Sequence, residues 1–152
     1  MSGGPKRVLF AEDNAKDAEL TLAALEQNHV ANEVVVVRDG LEAWDYLHSR
    51  GAFANRPKGN PALVLLDLKM PKLDGLELLR RMKSDESLRS IPVVMLTSSQ
   101  EERDVVESYA LGVNAYVVKP VKFNDFVTAV ANLGQFWAVI NQPPPGSVRR
   151  AA

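Results

Sequence analysis

A doubly wound parallel α/β sheet is the fold class that this sequence predicts. Short apolar runs alternate strictly with amphipathic runs of helical length, so that five strand–helix pairs follow one another. One stretch, "NEVVVVRD" (32–39), holds four consecutive valines, β-branched and apolar, as a strand covered on both faces would be. Each crossover between parallel strands must be right-handed and must cover the sheet, which puts helices on both of its faces.

The elements follow in order. "RVLFA" (7–11) reads as the first strand, after a small glycine-rich start at 1–5 that is expected to be disordered. A helix over 14–28 places Ala18, Leu22 and Leu25 on one face, with Asn14 as its N-cap. The valine run belongs to a strand over 32–39, and "GLEAWDYLHSRG" (40–51) to a helix with Leu41, Trp44 and Leu47 three residues apart and Gly51 as its stop. Two prolines, a glycine and two basic residues mark 52–61 as an exposed loop, "RPKG" included. Strand "ALVLLD" (62–67), helix "LDGLELLRRMKSD" (73–85) and strand "IPVVMLTSS" (91–99) come next. A helix over 100–112 closed by Gly112, a strand over 114–120 stopped by Pro120, and a helix over 124–140 complete a flavodoxin-like (βα)5 arrangement.

Size and composition narrow the function. At 152 residues, 46% apolar and 24% charged, the chain suits one globular domain. A net charge of −1 argues against a dedicated nucleic-acid binder. The absence of cysteine excludes thiol nucleophiles and cysteine-ligated zinc. The apolar run near the start is too short for a signal peptide, and no stretch approaches the roughly 18 apolar residues of a membrane span. The cytoplasm is the expected location, with neither membrane nor nucleic acid as a partner.

Ligands of such a sheet bind at the carboxyl ends of the strands, near the point where strand order reverses. The first strand ends in Glu12-Asp13, the third in Asp67, the fourth in Thr97-Ser98 and the fifth in Lys119. Carboxylates crowded into one cleft raise one another's pKa unless a cation joins them. An oxygen-rich site without sulfur or imidazole suits a hard ion such as Mg²⁺. Lysine and a hydroxyl beside it would hold phosphoryl oxygens, and a carboxylate can accept a phosphoryl group covalently.

"AEDN" (11–14), "LLDLKMPKLDG" (65–75), "LTSS" (96–99) and "YVVKPV" (116–121) stand at these strand ends. In that combination the chain resembles a response-regulator receiver domain of two-component signalling over about residues 6–140. The resemblance implies that a histidine kinase phosphorylates Asp67. It implies Mg²⁺ held by Asp13 and Asp67 directly, by Glu12 through water and by the Lys69 backbone carbonyl. Thr97 and Lys119 would contact the phosphoryl oxygens, and the Lys119–Pro120 bond would be cis. Tyr116, three residues before the lysine, falls at the family's aromatic switch position. Thr97, drawn to the phosphoryl group, would vacate space for it, and the output face would comprise the helix at 100–112, the last strand and the last helix. Glu12 stands where aspartate is commoner, while Lys69 and Ser99 flank the site and would tune the phosphoryl lifetime. Phosphotransfer and autodephosphorylation would be self-directed, so the chain is not expected to be an enzyme with an outside substrate.

Each fragment has a plainer reading by itself. Glu12-Asp13 can be a strand end with helix capping, Asp67 a turn residue, Thr97 a strand-end hydroxyl, Lys119-Pro120 a solvated loop and Tyr116 a half-buried strand aromatic. His29 and His48 are expected at the surface, away from the rim. Other phosphate chemistries fit less well. A haloacid-dehalogenase-type phosphatase needs an aspartate where Lys69 stands, a topoisomerase-primase-type site needs the same, and "AEDNAKD" would repel a flavin phosphate. A phosphorylation-independent interaction module on the same fold is the alternative from another class.

Phe126, Val130, Leu133, Trp137 and Ile140 recur at helical spacing, and Phe123, Val127 and Phe136 widen the stripe beyond one face. Extra core packing is one explanation; self-association into a homodimer, with Phe126, Val130, Leu133, Phe136, Trp137 and Ile140 on the partner surface, is the expected one. "FVTAVANLGQFWAVIN" resembles the ending of single-domain regulators that serve bacterial phytochromes, which implies a bacteriophytochrome kinase as partner. Residues 141–152 would form an arm stiffened by Pro143-Pro144-Pro145. With no output domain expected, the signal would leave through a downstream protein.

Overall fold

The computed structural model describes residues 7–26, 33–97, 115–119 and 121–132. Five strands form one parallel sheet in the order β2-β1-β3-β4-β5: β1 (Arg7–Ala11), β2 (Glu33–Val37), β3 (Leu63–Asp67), β4 (Val93–Thr97) and β5 (Ala115–Val118). Among the described residues the helices are α1 (Ala15–Glu26), α2 (Gly40–Leu47), α3 (Gly75–Lys83) and α4 (Phe123–Asn132). The chain steps outward from β1 to β2, then back past β1 to β3. The reversal therefore lies between β1 and β3, and it brings their carboxyl ends side by side.

The period-two alternation of each strand divides the core into two layers. Val8, Phe10, Leu63, Leu65, Val94, Leu96, Ala115 and Val117 pack against α1 and α4. Leu9, Ala11, Val64, Leu66, Val93 and Met95 pack against α2 and α3. The central strands β3 and β4 are buried at every residue, which is why their sequences are apolar without alternation.

Two helices begin with the same four letters. In Asp39-Gly40-Leu41-Glu42 and in Asp74-Gly75-Leu76-Glu77, the aspartate Oδ1 accepts from the glutamate backbone N–H at 2.8 Å, capping α2 and α3. The glycines permit close approach. A Cβ on Gly40 would lie 1.9 Å from the Leu73 carbonyl oxygen, and one on Gly75 would lie 2.3 Å from that of Asp67. The start of α3 is thereby pressed against the end of β3.

Several expectations need correction. The valine strand β2 is not covered on both faces: it is an edge strand, with Glu33 and Val36 exposed. Within α1 the buried positions are Ala18, Thr21 and Leu25, and Leu22 is only partly buried. His48 is half-buried rather than fully exposed; it caps the end of α2, packs its ring at a tilt against Trp44 and brings Nε2 within 3.4 Å of Asp85 Oδ2. The 52–61 loop begins in a short 3-10 turn (Gly51–Phe53), and Pro57, Lys58 and Gly59 are exposed as expected, but Arg56 is half-buried. Its guanidinium lies 4.2 Å from the centre of the Tyr46 ring and donates to the Tyr46, Pro57 and Gly59 carbonyls. Phe126, expected on a partner surface, is fully buried against the sheet, because the apolar face of α4 is consumed by the core. The Val130 side chain, Leu133, Phe136, Trp137, Ile140, the helix over 100–112, His29, Ser99, Pro120 and the 141–152 arm lie outside the described residues.

Candidate functional site

The carboxyl rim of β1, β3, β4 and β5 encloses a pocket of about 210 Å³, lined by Glu12, Asp13, Asp67, Lys69, Thr97 and Lys119 together with Asn14, Asp17 and Leu68. All six residues expected there are present. Backbone hydrogen bonds carry the sheet past the strand ends and fix the side chains that follow: Glu12 N–H to the Val37 carbonyl, Leu68 N–H to that of Leu96, Lys119 N–H to that of Thr97. The alternation extends as well. Glu12, Asp67 and Lys119 continue the layer of Phe10, Leu65 and Val117, on the side of α1, whereas Thr97 continues that of Met95.

Lys119 is the centre of the charge arrangement. Its ammonium donates to Glu12 Oε1 at 3.0 Å and to Asp17 Oδ2 at 3.1 Å, and it pairs with Asp67 Oδ1 at 3.3 Å. Burial works against the ammonium, but the hydrogen bond to Glu12 and the charge of Asp67 more than offset it, holding its pKa above the usual lysine range. Asp67 is pushed the other way, from an ordinary 3.8 up to about 7, by burial first and the neighbouring Glu12 carboxylate second, with Lys119 opposing. The pocket thus holds more negative charge than a single lysine can balance.

The donor set fits a hard divalent cation. Glu12, Asp13 and Asp67 bring carboxylate oxygens within 4.8 Å of one another, with no nitrogen or sulfur ligand in that group. Both Glu12 oxygens are already engaged, Oε1 by Lys119 and Oε2 by the Asn14 N–H at 3.2 Å, which leaves Asp13 and Asp67 better placed to reach an ion directly. Asp13 is exposed at the mouth and Asp67 buried at the floor. The Thr97 residue is buried beside them.

Tyr116 does not line the pocket. It stands on β5, 37% exposed, paired in register with Met95 and hence in the same layer as Thr97, one step along the strands. Asp17 is the residue that sequence reasoning missed. The signal was available: it follows Asp13 by four residues in the first turn of α1, so one helical turn returns it to the rim.

Known proteins are similar to this chain in sequence and in fold. Response regulator Rcp1 of Synechocystis sp. is 40% identical over 136 residues, covering 90% of this chain and 91% of its own. Among solved structures, the bacteriophytochrome response regulator RtBRR is 64% identical, with a TM-score of 0.81 over 93% of this chain and 86% of that one. The bacteriophytochrome response regulator AtBRR is 60% identical, with a TM-score of 0.84 over 92% and 100%. A structure of Rcp1 in its Mn²⁺-bound form aligns with 97% of this chain and all of that one at 37% identity and a TM-score of 0.72. Receiver domains hold Mg²⁺ or Mn²⁺ at such an acidic site and take part with histidine kinases in signalling. The sequence family described as response regulator receiver domain matches residues 8–131, and the chain belongs to it.

Proposed function

We propose that Asp67 accepts a phosphoryl group from a histidine kinase, and that the resulting change at β4 and β5 is read by protein partners. The carrying observation is the Lys119 ammonium 3.3 Å from Asp67 Oδ1 inside a pocket of further carboxylates. In transfer, an Asp67 oxygen forms the bond to phosphorus while the phosphorus–nitrogen bond of phosphohistidine breaks and the imidazole leaves with the electron pair. Lys119 and Thr97 hold the phosphoryl oxygens as they move. Asp13, Asp67, Glu12 through water and the Lys69 carbonyl would hold Mg²⁺, which supplies neutralisation for the acids and the transferring oxygens alike. Loss of the phosphoryl group by hydrolysis at the same site would return the protein to its resting state.

Mg²⁺-dependent labelling with acetyl phosphate tests the reading. The chain should take up one phosphoryl group, and Asp67→Asn should abolish uptake. Labelling that persists in this variant sinks the assignment, and absence of any labelling favours the phosphorylation-independent interaction module.

The kinase is proposed to be a bacteriophytochrome, supported by the names of RtBRR and AtBRR at 64% and 60% identity. Transfer from a purified bacteriophytochrome kinase, lost in Asp67→Asn, is the expected result. A receiver over 6–140 in the cytoplasm, followed by an arm at 141–152, remains the proposed organisation. Homodimerisation is proposed through Val130, Leu133, Phe136, Trp137 and Ile140, with Phe126 removed from that surface by its burial.

A further inference from the structure

Lys119 is gripped from two directions. Glu12 reaches it from the end of β1 and Asp17 from the first turn of α1, each accepting a hydrogen bond from the ammonium. The contact with Asp67 is longer, 3.3 Å, and is an ion pair. An ammonium carries three N–H groups. With two of them committed to Glu12 and Asp17, the third is left facing the carboxylate that takes up phosphorus.

We propose that Asp17 is a positioning residue for phosphoryl capture, holding the Lys119 ammonium so that its remaining N–H is aimed at the place where a phosphoryl oxygen arrives. The proposal rests on the reading of Asp67 as phosphoacceptor. Lysine is a point charge on a flexible four-carbon stem, so aim must come from its surroundings. The Glu12 side chain is 1% exposed and anchors the ammonium from inside; the Asp17 side chain is 40% exposed and anchors it from the solvent side. With Glu12 alone, Lys119 keeps one fixed hydrogen bond and can pivot about it.

Asp17 also carries a negative charge, which repels an incoming phosphoryl group. Its exposure decides between the two effects: water and salt weaken a charge at distance, but they do not weaken the direct hydrogen bond to the same degree. Asp17 stands apart from the three acids whose oxygens lie within 4.8 Å of one another, so cation affinity and phosphoryl capture are separable readouts.

The experiment titrates Mg²⁺ alone, and then beryllofluoride at saturating Mg²⁺, against the full chain and its Asp17→Ala, Asp17→Asn and Asp67→Asn variants. In Asp17→Ala, beryllofluoride binding should weaken roughly ten-fold, the effect of losing one charge-assisted hydrogen bond at a partly exposed site. Mg²⁺ affinity should stay within about two-fold, since Asp17 is no ligand. Asp17→Asn keeps an acceptor oxygen and should recover most of the loss. Unchanged or tighter beryllofluoride binding in Asp17→Ala overturns the proposal, as does a parallel fall in Mg²⁺ affinity or a failure of asparagine to rescue. If the unsubstituted chain itself binds no beryllofluoride, or if Asp67→Asn binds it normally, the phosphoacceptor reading fails instead.

Discussion

Asp67, the proposed nucleophile, stands in a place that opposes its ionisation. Burial and the Glu12 carboxylate raise its pKa to about 7, although Lys119 lies 3.3 Å away. The sign of the stability effect follows directly. The unfolded chain releases this proton near 3.8 and the metal-free folded chain near 7, so between those values the folded state binds more protons. Stability contributed by the group is therefore present below about pH 4 and is lost as pH rises to about 7. An Asp67→Asn variant has no such loss. Its stability advantage over the unsubstituted chain, measured by urea unfolding in EDTA, should grow between pH 4 and pH 7 and level off above. The growth should be at most about 4 kcal/mol, since one pKa unit is worth about 1.4 kcal/mol. Saturating Mg²⁺ should shrink the difference at pH 7, and an advantage independent of pH contradicts the account. Of this site, Glu12, Asp13, Asp67, Thr97 and Lys119 were legible in the letters because strand ends are easily found and these types are unusual there. Asp17, whose spacing from Asp13 did carry a signal, was passed over because an acid in the first turn of a helix has an ordinary explanation in the helix dipole.

At the scale of the element, the letters specify strands and helix starts better than they specify loops. The twice-used Asp-Gly-Leu-Glu announces two helix N-termini, and both caps form. The loop after α2 looked like solvated, basic punctuation, yet two arginines bind its backbone carbonyls. Arg56 closes the carboxyl end of α2 by donating to the Tyr46 carbonyl at 2.6 Å while its face stacks on the Tyr46 ring. Arg7, at the start of β1, donates to the Pro57, Lys58 and Gly59 carbonyls from the other side. Such contacts depend on which backbone carbonyls face inward, and no side-chain pattern encodes that. Substituting Arg56→Ala removes a helix-end partner and a cation–π contact together, and should cost about 2 kcal/mol. For a chain of this size that corresponds to a fall of about 4–8 °C in Tm by calorimetry. Arg56→Lys should recover little, because a point charge replaces neither the flat stacking nor the forked donors. Full recovery by lysine contradicts this reading.

Across the whole molecule, the sheet separates two packing layers, and the phosphoryl group would be the one ligand touching residues of both. Glu12, Asp67 and Lys119 belong to the α1 side; Thr97 and Tyr116 belong to the side of α2 and α3. This division was not legible beforehand, although the alternation of strands and helices was. The alternation of β3 and β4 is masked by apolar residues on both faces, and the same ambiguity made the edge strand β2 look central. It has a consequence for the proposed signalling. On that proposal a ligand held only by Asp67 and Lys119 would bias one layer, and contact with Thr97 would carry the change to β5, whose Val118 pairs with Thr97 and whose Tyr116 is its neighbour along the same face. Thr97→Ala should therefore leave Mg²⁺ affinity unchanged and beryllofluoride still able to bind, more weakly. In the unsubstituted chain, beryllofluoride should change hydrogen-exchange protection of the amides of residues 115–118. In Thr97→Ala that change should be largely lost at equal occupancy of the site. The coupling at stake is of the usual size for such switches, about 1–3 kcal/mol, and it corresponds to about a five- to 150-fold change in local opening. If the alanine variant shows the full protection change at β5, the signal travels through the α1 layer and Thr97 is only a binding group.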